Sequence, residues 1–170
     1  MKKSLFGLIF VFVAITSYAQ RYAYVDTEYI LNNIPAYKAA QDKLNQMSAD
    51  WEKEIEAEYE VVDQMNKDFQ TEKVLLTEDM IKQRKADIAA KDREVKDLQR
   101  RFFGPGGELF QKRRELIKPI QDEVYTVIKD IAESGNYAII FDTAAGATIL
   151  FTDPRYDKSD EVLEKLGYKN

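Results

Sequence analysis

The fold is decided by residues 81–102, which read IKQRKADIAAKDREVKDLQRRF. Apolar side chains recur in this segment every seven residues, at Ile81, Ile88, Val95 and Phe102. A seven-residue spacing is typical of a helix that packs along its length against a partner helix. The residues immediately before this segment are the natural place to look for that partner.

The segment belongs to a long stretch without helix breakers. No Gly or Pro occurs from Ala36 to Phe103, a run of 68 residues rich in Ala, Glu, Lys, Gln and Asp. A second apolar series precedes the first one, at Leu44, Met47, Trp51, Ile55, Tyr59, Val62 and Phe69. Between the two series, Thr77 is followed by Glu78 and Asp79, which is typical of a helix start. The pattern predicts two antiparallel helical arms with a tip near residues 74–77, and a single uninterrupted helix is the alternative.

The charges of the two arms favour the hairpin. Residues 38–72 carry four basic and ten acidic side chains, whereas residues 80–103 carry eight basic and four acidic ones. Folding one arm back on the other places unlike charges along both flanks of the seam. Each exposed pair contributes little, but the asymmetry favours a hairpin over parallel pairing of two copies of one arm.

Short elements precede the hairpin. Tyr22–Asp26 predicts a strand, after which Asp26 or Thr27 begins a brief helix. Pro35 is well placed at the first position of the long arm, where its missing N–H is not needed.

Two interruptions follow the second arm. The sequence Gly104-Pro105-Gly106-Gly107 predicts a kink, and helical spacing then continues to residue 134 with a further bend at Pro119. We predict that Gly104, Pro105, Gly106, Gly107 and Pro119 act as hinges between a body and the arms.

The C-terminal part predicts a small β-hairpin and a helix. Tyr137–Asp142 and Ala147–Thr152 are apolar strand candidates around a turn, and a helix runs from about Ser159 to Leu166. Such continuous apolar strands require burial on both faces, and one short chain supplies little core. We therefore predict a homo-oligomer of unspecified number, whose body contains Tyr24, Val25, Ile139, Ile140, Phe141, Ile149, Leu150 and Phe151.

The N-terminus carries a targeting signal. Lys2 and Lys3 precede an apolar run at residues 5–15, and Ser17-Tyr18-Ala19 places small residues at the −3 and −1 positions of a cleavage site. Cleavage after Ala19 would yield an exported protein. The alternative is an uncleaved anchor, although the run is short of the ~20 residues that span a bilayer.

The composition excludes several classes of function. The chain has no Cys and no His, so it cannot build a Ser-His-Asp triad, a Cys-His dyad or a zinc finger. Its 25 basic residues face 30 acidic ones, and without Lys2 and Lys3 the counts become 23 and 30, a charge of −7. This balance argues against a nucleic-acid partner.

Carboxylates could in principle form an active or metal site. Glu52, Glu54, Glu56, Glu58 and Glu60 alternate along a helix, so they point in different directions and make a solvated face. Asp142 and Asp153 lie near strand ends, where Asp is common at turns. Nothing in the sequence places the two in one pocket. We predict a protein that is not an enzyme and that uses no metal or cofactor.

The two ends of the chain carry a family resemblance. The opening Tyr22–Leu31 (YAYVDTEYIL), the closing Tyr137–Asp142 (YAIIFD) and the ending Asp160–Leu166 (DEVLEKL) together resemble the Skp/OmpH family of periplasmic chaperones. The resemblance covers Tyr22 to Gly167. Phe103–Phe110 (FGPGGELF) resembles the variant found in Bacteroidetes members.

The resemblance implies an α+β, mostly helical fold. A small oligomeric β body would carry one long antiparallel coiled-coil hairpin per chain, in a homotrimer. The chain would divide into a signal peptide (1–19), a body strand and short helix (20–35), helical arms (36–134), and a body β-hairpin with C-terminal helix (135–170).

The resemblance also implies an activity. The protein would be an ATP-independent periplasmic holdase that keeps unfolded outer-membrane β-barrel proteins in a cavity between its arms. A structural coiled-coil adaptor or spacer of the cell envelope is the alternative. The best-known family members are strongly basic and this chain is acidic, so the resemblance supports client holding more firmly than lipopolysaccharide binding.

Candidate client-binding residues lie on the arms. The tip contributes Val74, Leu75, Leu76 and Met80, which could instead plug the end of the coiled coil. Tyr59 and Phe69 belong first to the seam and second to a client surface, and Trp51 is assigned to the seam.

Overall fold

The computed structural model describes residues 21–168, apart from 145, 147 and 148. The signal peptide that we predict at residues 1–19, with its cleavage site, lies outside the described residues. The elements are β1 (Arg21–Val25), α1 (Thr27–Asn32), α2 (Pro35–Glu72), a 3₁₀ turn (Lys73–Leu75), α3 (Glu78–Phe103), α4 (Glu108–Ser134), β2 (Tyr137–Asp142), a second 3₁₀ turn (Pro154–Tyr156) and α5 (Ser159–Lys165). The described chain is therefore mostly helical, with one small pair of strands.

The chain divides into two compact units. The arm unit is Ile34–Glu123, and the body unit comprises the described residues of Met1–Asn33 and Val124–Asn170. We expected the arms to extend to residue 134, but the last part of α4 falls in the body unit. Val124 and Ile131, seven residues apart on one face of α4, are both buried there.

The arm unit contains the antiparallel pair of helices. α2 begins with Pro35 at its first turn, and the Thr77 hydroxyl accepts a hydrogen bond from the backbone N–H of Met80 at the start of α3. Both helix starts are as the sequence predicts. The 3₁₀ turn and the extended backbone of Leu76 separate α2 from α3, which excludes the single uninterrupted helix.

Two separate cores hold the arm unit together. The first lies between α2 and α3 and consists of Ile55, Val62, Val95 and Phe102. The second joins the first part of α2 to the first part of α4 through Ala40, Leu44 and Ile117. The heptad prediction is confirmed at Val95 and Phe102, the two most deeply buried side chains of the first core.

The body unit is built around β1. β1 pairs in parallel with β2, so that Tyr24 lies opposite Phe141 and Val25 opposite Asp142. Tyr24 is also bridged to Asp157, and its carbonyl accepts a hydrogen bond of 2.9 Å from the N–H of Lys158. β1 therefore lies between β2 on one edge and the segment around Asp157 on the other.

Side-chain hydrogen bonds connect β2 to α1. The Asp142 carboxylate accepts one hydrogen bond from the Thr27 N–H at 3.2 Å and another from the Thr27 hydroxyl at 2.7 Å. Asp26 is the N-cap and accepts from the Tyr29 N–H at 2.9 Å. Of the two residues that the sequence offered as the start of this helix, Asp26 is the cap.

The β-hairpin prediction for residues 137–152 is wrong in its described part. β2 pairs with β1 and not with the segment that follows, and Ile149–Thr152 have no regular secondary structure. Ala147 and Thr148 lie outside the described residues. Leu150 and Phe151 are 94% and 83% exposed, and the physical reason is that this apolar segment finds no core to pack against within its own chain.

Candidate functional site

An aromatic stack fixes the end of the seam between α2 and α3. The Trp51 ring stacks on the Phe102 ring with centroids 4.8 Å apart and meets the Phe103 ring edge-on at 6.2 Å. Such pairs add about 0.5–1.5 kcal/mol beyond their buried area. Trp51 therefore serves seam packing, as its position in the apolar series predicts.

Few ion pairs join the two arms. Among the described residues, two cross between α2 and α3: Lys91 with Glu58 at 2.6 Å and Arg84 with Glu72 at 3.3 Å. The hydrogen bond that the Lys91 ammonium donates to Glu58 is the largest cause of the raised pKa of Lys91, and the Glu94 carboxylate acts in the same direction. Arg101 of α3 pairs with Glu108 of α4 at 3.4 Å, and the other ion pairs of α3 among the described residues lie within that helix. The acidic charge of α2 is thus paired with the basic charge of α3 at these two places.

The tip exposes apolar side chains. Val74 and Leu75 are 87% and 85% exposed, and Met80 is half exposed. Leu76 is half-buried. Val74 and Leu75 therefore do not plug the end of the coiled coil, because a plug would bury them. The structure leaves them available to another molecule.

The two other candidates for client contact lie in the seam. Phe69 is only 5% exposed and is the last buried side chain of α2 before the tip, as its first assignment to the seam predicts. Tyr59 is half-buried and packs against the first core. Part of its ring remains accessible.

The body unit exposes an apolar surface. A cleft of about 730 Å³ is lined on its apolar side by Tyr22, Phe141, Ile149, Phe151 and Tyr156. Ile139 and Phe141 of β2 are about half exposed, and Tyr24 and Ile140 are half-buried. Val25 is 2% exposed, so within the body it packs in the core of its own chain.

The joint between α3 and α4 needs glycine. A Cβ on Gly104 would lie 2.3 Å from the Arg100 carbonyl oxygen, and one on Gly107 would lie 2.7 Å from that of Arg101. Gly106 has φ of 73°, in the left-handed region that glycine adopts without strain. The kink predicted at residues 104–107 coincides with this break in the helix.

Pro119 is accommodated within a helix. α4 runs without interruption from Glu108 to Ser134 and contains Pro119 in its interior. The helix therefore does not end at this residue, and a bend or hinge at Pro119 stays a prediction.

The carboxylates considered for catalysis have local partners. Asp142 accepts hydrogen bonds from Thr27 and from the Ala144 N–H. Asp153 accepts from the Arg155 guanidinium, which lowers the pKa of this carboxyl. Within the residues that the structure describes, no group of three or more acidic side chains is arranged to hold a metal ion. No described helix is long and apolar enough to cross a membrane.

One surface was not anticipated from the sequence. A cleft on one flank of the α2–α3 seam is lined by Glu52, Ile55, Glu56, Tyr59, Gln99 and Phe103. The signal was present in the spacing of Glu52, Ile55, Glu56 and Tyr59, which share one helix face. The sequence does not say which face of α2 packs against α3, and the cleft could not be predicted without that information.

Comparison with known proteins identifies the family. The family model "Outer membrane protein (OmpH-like)" matches residues 21–166. A solved structure from Caulobacter crescentus CB15, described as a candidate outer membrane chaperone (OmpH-like), superposes with a TM-score of 0.68 at 16% sequence identity and covers 87% of this chain and 84% of its own. At this identity the likeness shows the fold. No curated protein matches the chain significantly. Because the family model spans nearly all of the described residues, the chain belongs to the OmpH-like family of outer membrane proteins.

Proposed function

We propose that the protein is an ATP-independent periplasmic holdase for unfolded outer-membrane β-barrel proteins. Export through the signal peptide, with cleavage after Ala19, would place it where such clients pass. Membership of the OmpH-like family supports this function. The structural observation that carries the proposal is the pair of nearly fully exposed apolar side chains, Val74 and Leu75, at the tip of the arms.

The tip suits transient binding of unfolded chains. Large apolar side chains that stand free in water mark interaction sites when they cluster, and Val74, Leu75 and Met80 lie within seven residues of one another. The clients expose alternating apolar side chains before they fold. A small apolar tip gives each contact a low affinity, so that the client can leave without an energy source.

Several tips are needed to hold one client. Weak sites that are tethered together retain a ligand because each further contact is intramolecular. We propose that the body assembles a homotrimer through the apolar surface formed by Ile139, Phe141, Ile149, Leu150 and Phe151, with Tyr24 and Ile140 beside it. Assembly would cover side chains that the single chain leaves exposed.

The break at Gly104–Gly107 supports an arm that adapts to its client. Gly104 and Gly107 have no room for a side chain. Within the arm unit, α2 is continuous from Pro35 to Glu72 and packs against α3 on one side of the break and α4 on the other. We propose that the arm bends here and that Pro119 is a second flexible point. Flexible surfaces accommodate clients of different sizes at some cost in affinity.

The acidic charge limits the partners. The charge of −7 that remains without Lys2 and Lys3 disfavours both nucleic acid and lipopolysaccharide, whose phosphates attract basic surfaces. The proposal therefore covers protein clients and further copies of the chain.

The test is suppression of aggregation. A β-barrel protein diluted from urea should scatter less light when the purified protein is present at one trimer per client. The Val74→Ser/Leu75→Ser variant should protect less well, whereas a Glu78→Gln variant, also at the tip, should protect normally. A structural adaptor of the envelope would protect no unrelated barrel, so an absence of suppression by the wild type would favour that alternative.

A further inference from the structure

The two flanks of the α2–α3 seam differ in charge. The cleft lined by Glu52, Ile55, Glu56, Tyr59, Gln99 and Phe103, of about 410 Å³, contains two carboxylates and no cation. We name it the acidic groove. The cleft on the other flank, of about 710 Å³, contains both signs of charge, including Glu54, Glu58, Arg93 and Arg101. Of these two clefts, the acidic groove is the one that places unbalanced negative charge beside apolar side chains.

Helix geometry accounts for the groove. Glu52, Ile55, Glu56 and Tyr59 stand at positions i, i+3, i+4 and i+7 of α2, so they form one stripe. Gln99 and Phe103, four residues apart on α3, line its other wall. Ile55 is buried and makes the floor, while Glu52 and Glu56 are exposed at the rim.

The rim carboxylates are not neutralised by the protein itself. On the opposite flank, Glu58 pairs with Lys91 at 2.6 Å. Glu52 instead accepts a hydrogen bond from the uncharged Ser48 hydroxyl at 3.3 Å, and Glu56 has no cation within ion-pair distance among the described residues. A cation from another molecule can therefore approach both carboxylates without displacing an internal partner.

We infer that the acidic groove binds segments of unfolded polypeptide in which Lys or Arg stands beside an aromatic or branched aliphatic residue. The apolar side chain would enter between Tyr59 and Phe103, and the cation would lie between Glu52 and Glu56. The Tyr59 ring at the wall of the groove would add a cation–π contact. An acidic segment would be repelled at the same place. This inference rests on the proposed function and names the client chemistry that one surface of the arm selects.

The size of the groove sets the length of the segment. A volume of about 410 Å³ lies near the lower end of the range for small-molecule pockets, roughly 300–1,000 Å³. It accommodates one or two side chains of an extended chain and no folded domain. Binding at one groove is therefore weak, and it adds to the contacts made at the tip.

The sole tryptophan of the chain reports on the groove. Trp51 is the only Trp, and its ring lies 6.2 Å from that of Phe103. The probe is a short peptide that alternates Phe and Lys, with a second peptide in which Glu replaces Lys. The Lys peptide should change Trp51 emission saturably, and the Glu peptide should bind about tenfold more weakly, as expected for the loss of two exposed ion pairs.

Charge reversal locates the binding. Glu52→Lys/Glu56→Lys should reverse the preference and weaken binding of the Lys peptide about tenfold or more. The control Asp42→Lys/Asp63→Lys changes the net charge equally at two exposed acidic positions of α2 outside the groove, and it should keep the preference. Equal loss in both double variants would show that net charge alone acts and would overturn the inference.

The outcomes separate this inference from the proposed function. Equal binding of both peptides to the wild type overturns the groove assignment, while suppression of barrel aggregation by the same preparation still supports the holdase. Peptide preference without any suppression would support the groove and contradict the holdase.

Discussion

The indole ring of Trp51 on α2 lies nearly parallel to the ring of Phe102 on α3, with 8° between the ring planes. Phe103 is the last residue of α3 and closes the stack from the side. Gly104 follows, with a backbone that leaves the helix. The stack therefore clamps the final turn of α3 onto α2 immediately before the chain breaks.

Removal of this clamp should destabilise the hairpin. Trp51→Ala is expected to lower the free energy of unfolding by about 2–3 kcal/mol, less than the value for a fully buried ring because Trp51 is half-buried. Trp51→Phe keeps a stacking ring and should recover more than half of the loss. Urea denaturation followed by far-UV circular dichroism measures both. A loss within about 0.5 kcal/mol for Trp51→Ala, as at an ordinary surface site, would contradict the clamp.

The ion pair between Lys91 and Glu58 should make stability depend on alkaline pH. The folded state raises the pKa of Lys91 above 10.5, so folding binds this proton more tightly than the unfolded chain does. The contribution is fully present below 10.5 and is lost as the pH rises through the folded-state pKa. Denaturation midpoints across this range should fall less steeply in Lys91→Met than in the wild type.

Lys82 supplies the control for that measurement. It lies on the same helix and is exposed, and no described residue forms an ion pair with it. Lys82→Met should therefore keep the wild-type dependence on pH. Identical profiles for Lys91→Met and the wild type would mean that the pair does not stabilise the fold.

The arm core could be predicted because its information is local. Val95 and Phe102 repeat at the period of a packed helix, and their burial follows directly from that period. The cap at Thr77 is equally local, since it needs only a hydroxyl followed by acidic residues. These features explain why the helical part of the fold is well determined by the sequence.

The body could not be predicted in the same way. The apolar run Ile149–Phe151 indicates that these side chains require burial, but the sequence does not indicate which surface covers them. The parallel pairing of Tyr24 with Phe141 joins residues more than a hundred positions apart, and periodicity contains no such information. The acidic groove depends on which face of α2 meets α3. Pro119 shows the converse case, because helix contacts on both sides of it override the local preference for a break.

Replacement of the glycines in the joint between α3 and α4 should stiffen the arm. Substitution of Gly104, Pro105, Gly106 and Gly107 by four alanines removes the residues that keep the two helices apart and supplies good helix formers. The expected result is a stiffer arm that protects a narrower range of barrel clients. Light scattering with clients of increasing size measures the range.

A single substitution controls for the change in backbone strain. Gly106→Ala meets no atom within 4 Å and costs about 1–2 kcal/mol for its left-handed backbone, but it leaves Gly104 and Gly107 in place. It should preserve the client range. An unchanged range in the four-alanine variant would contradict the hinge.

The exposed apolar segment of the body should decide assembly. Leu150 and Phe151 have almost no contact within their own chain, so Leu150→Lys/Phe151→Lys should leave the circular dichroism of the chain unchanged. If these side chains are covered by other copies, two buried charges without partners make assembly strongly unfavourable. Sedimentation should then change from the mass of three mature chains to that of one. The tip variant Val74→Lys/Leu75→Lys adds the same charge at two equally exposed positions and should stay assembled.

A trimer that survives the Leu150 and Phe151 changes would show that this segment lies outside the interface. A wild type that sediments as one chain would contradict the oligomeric body altogether.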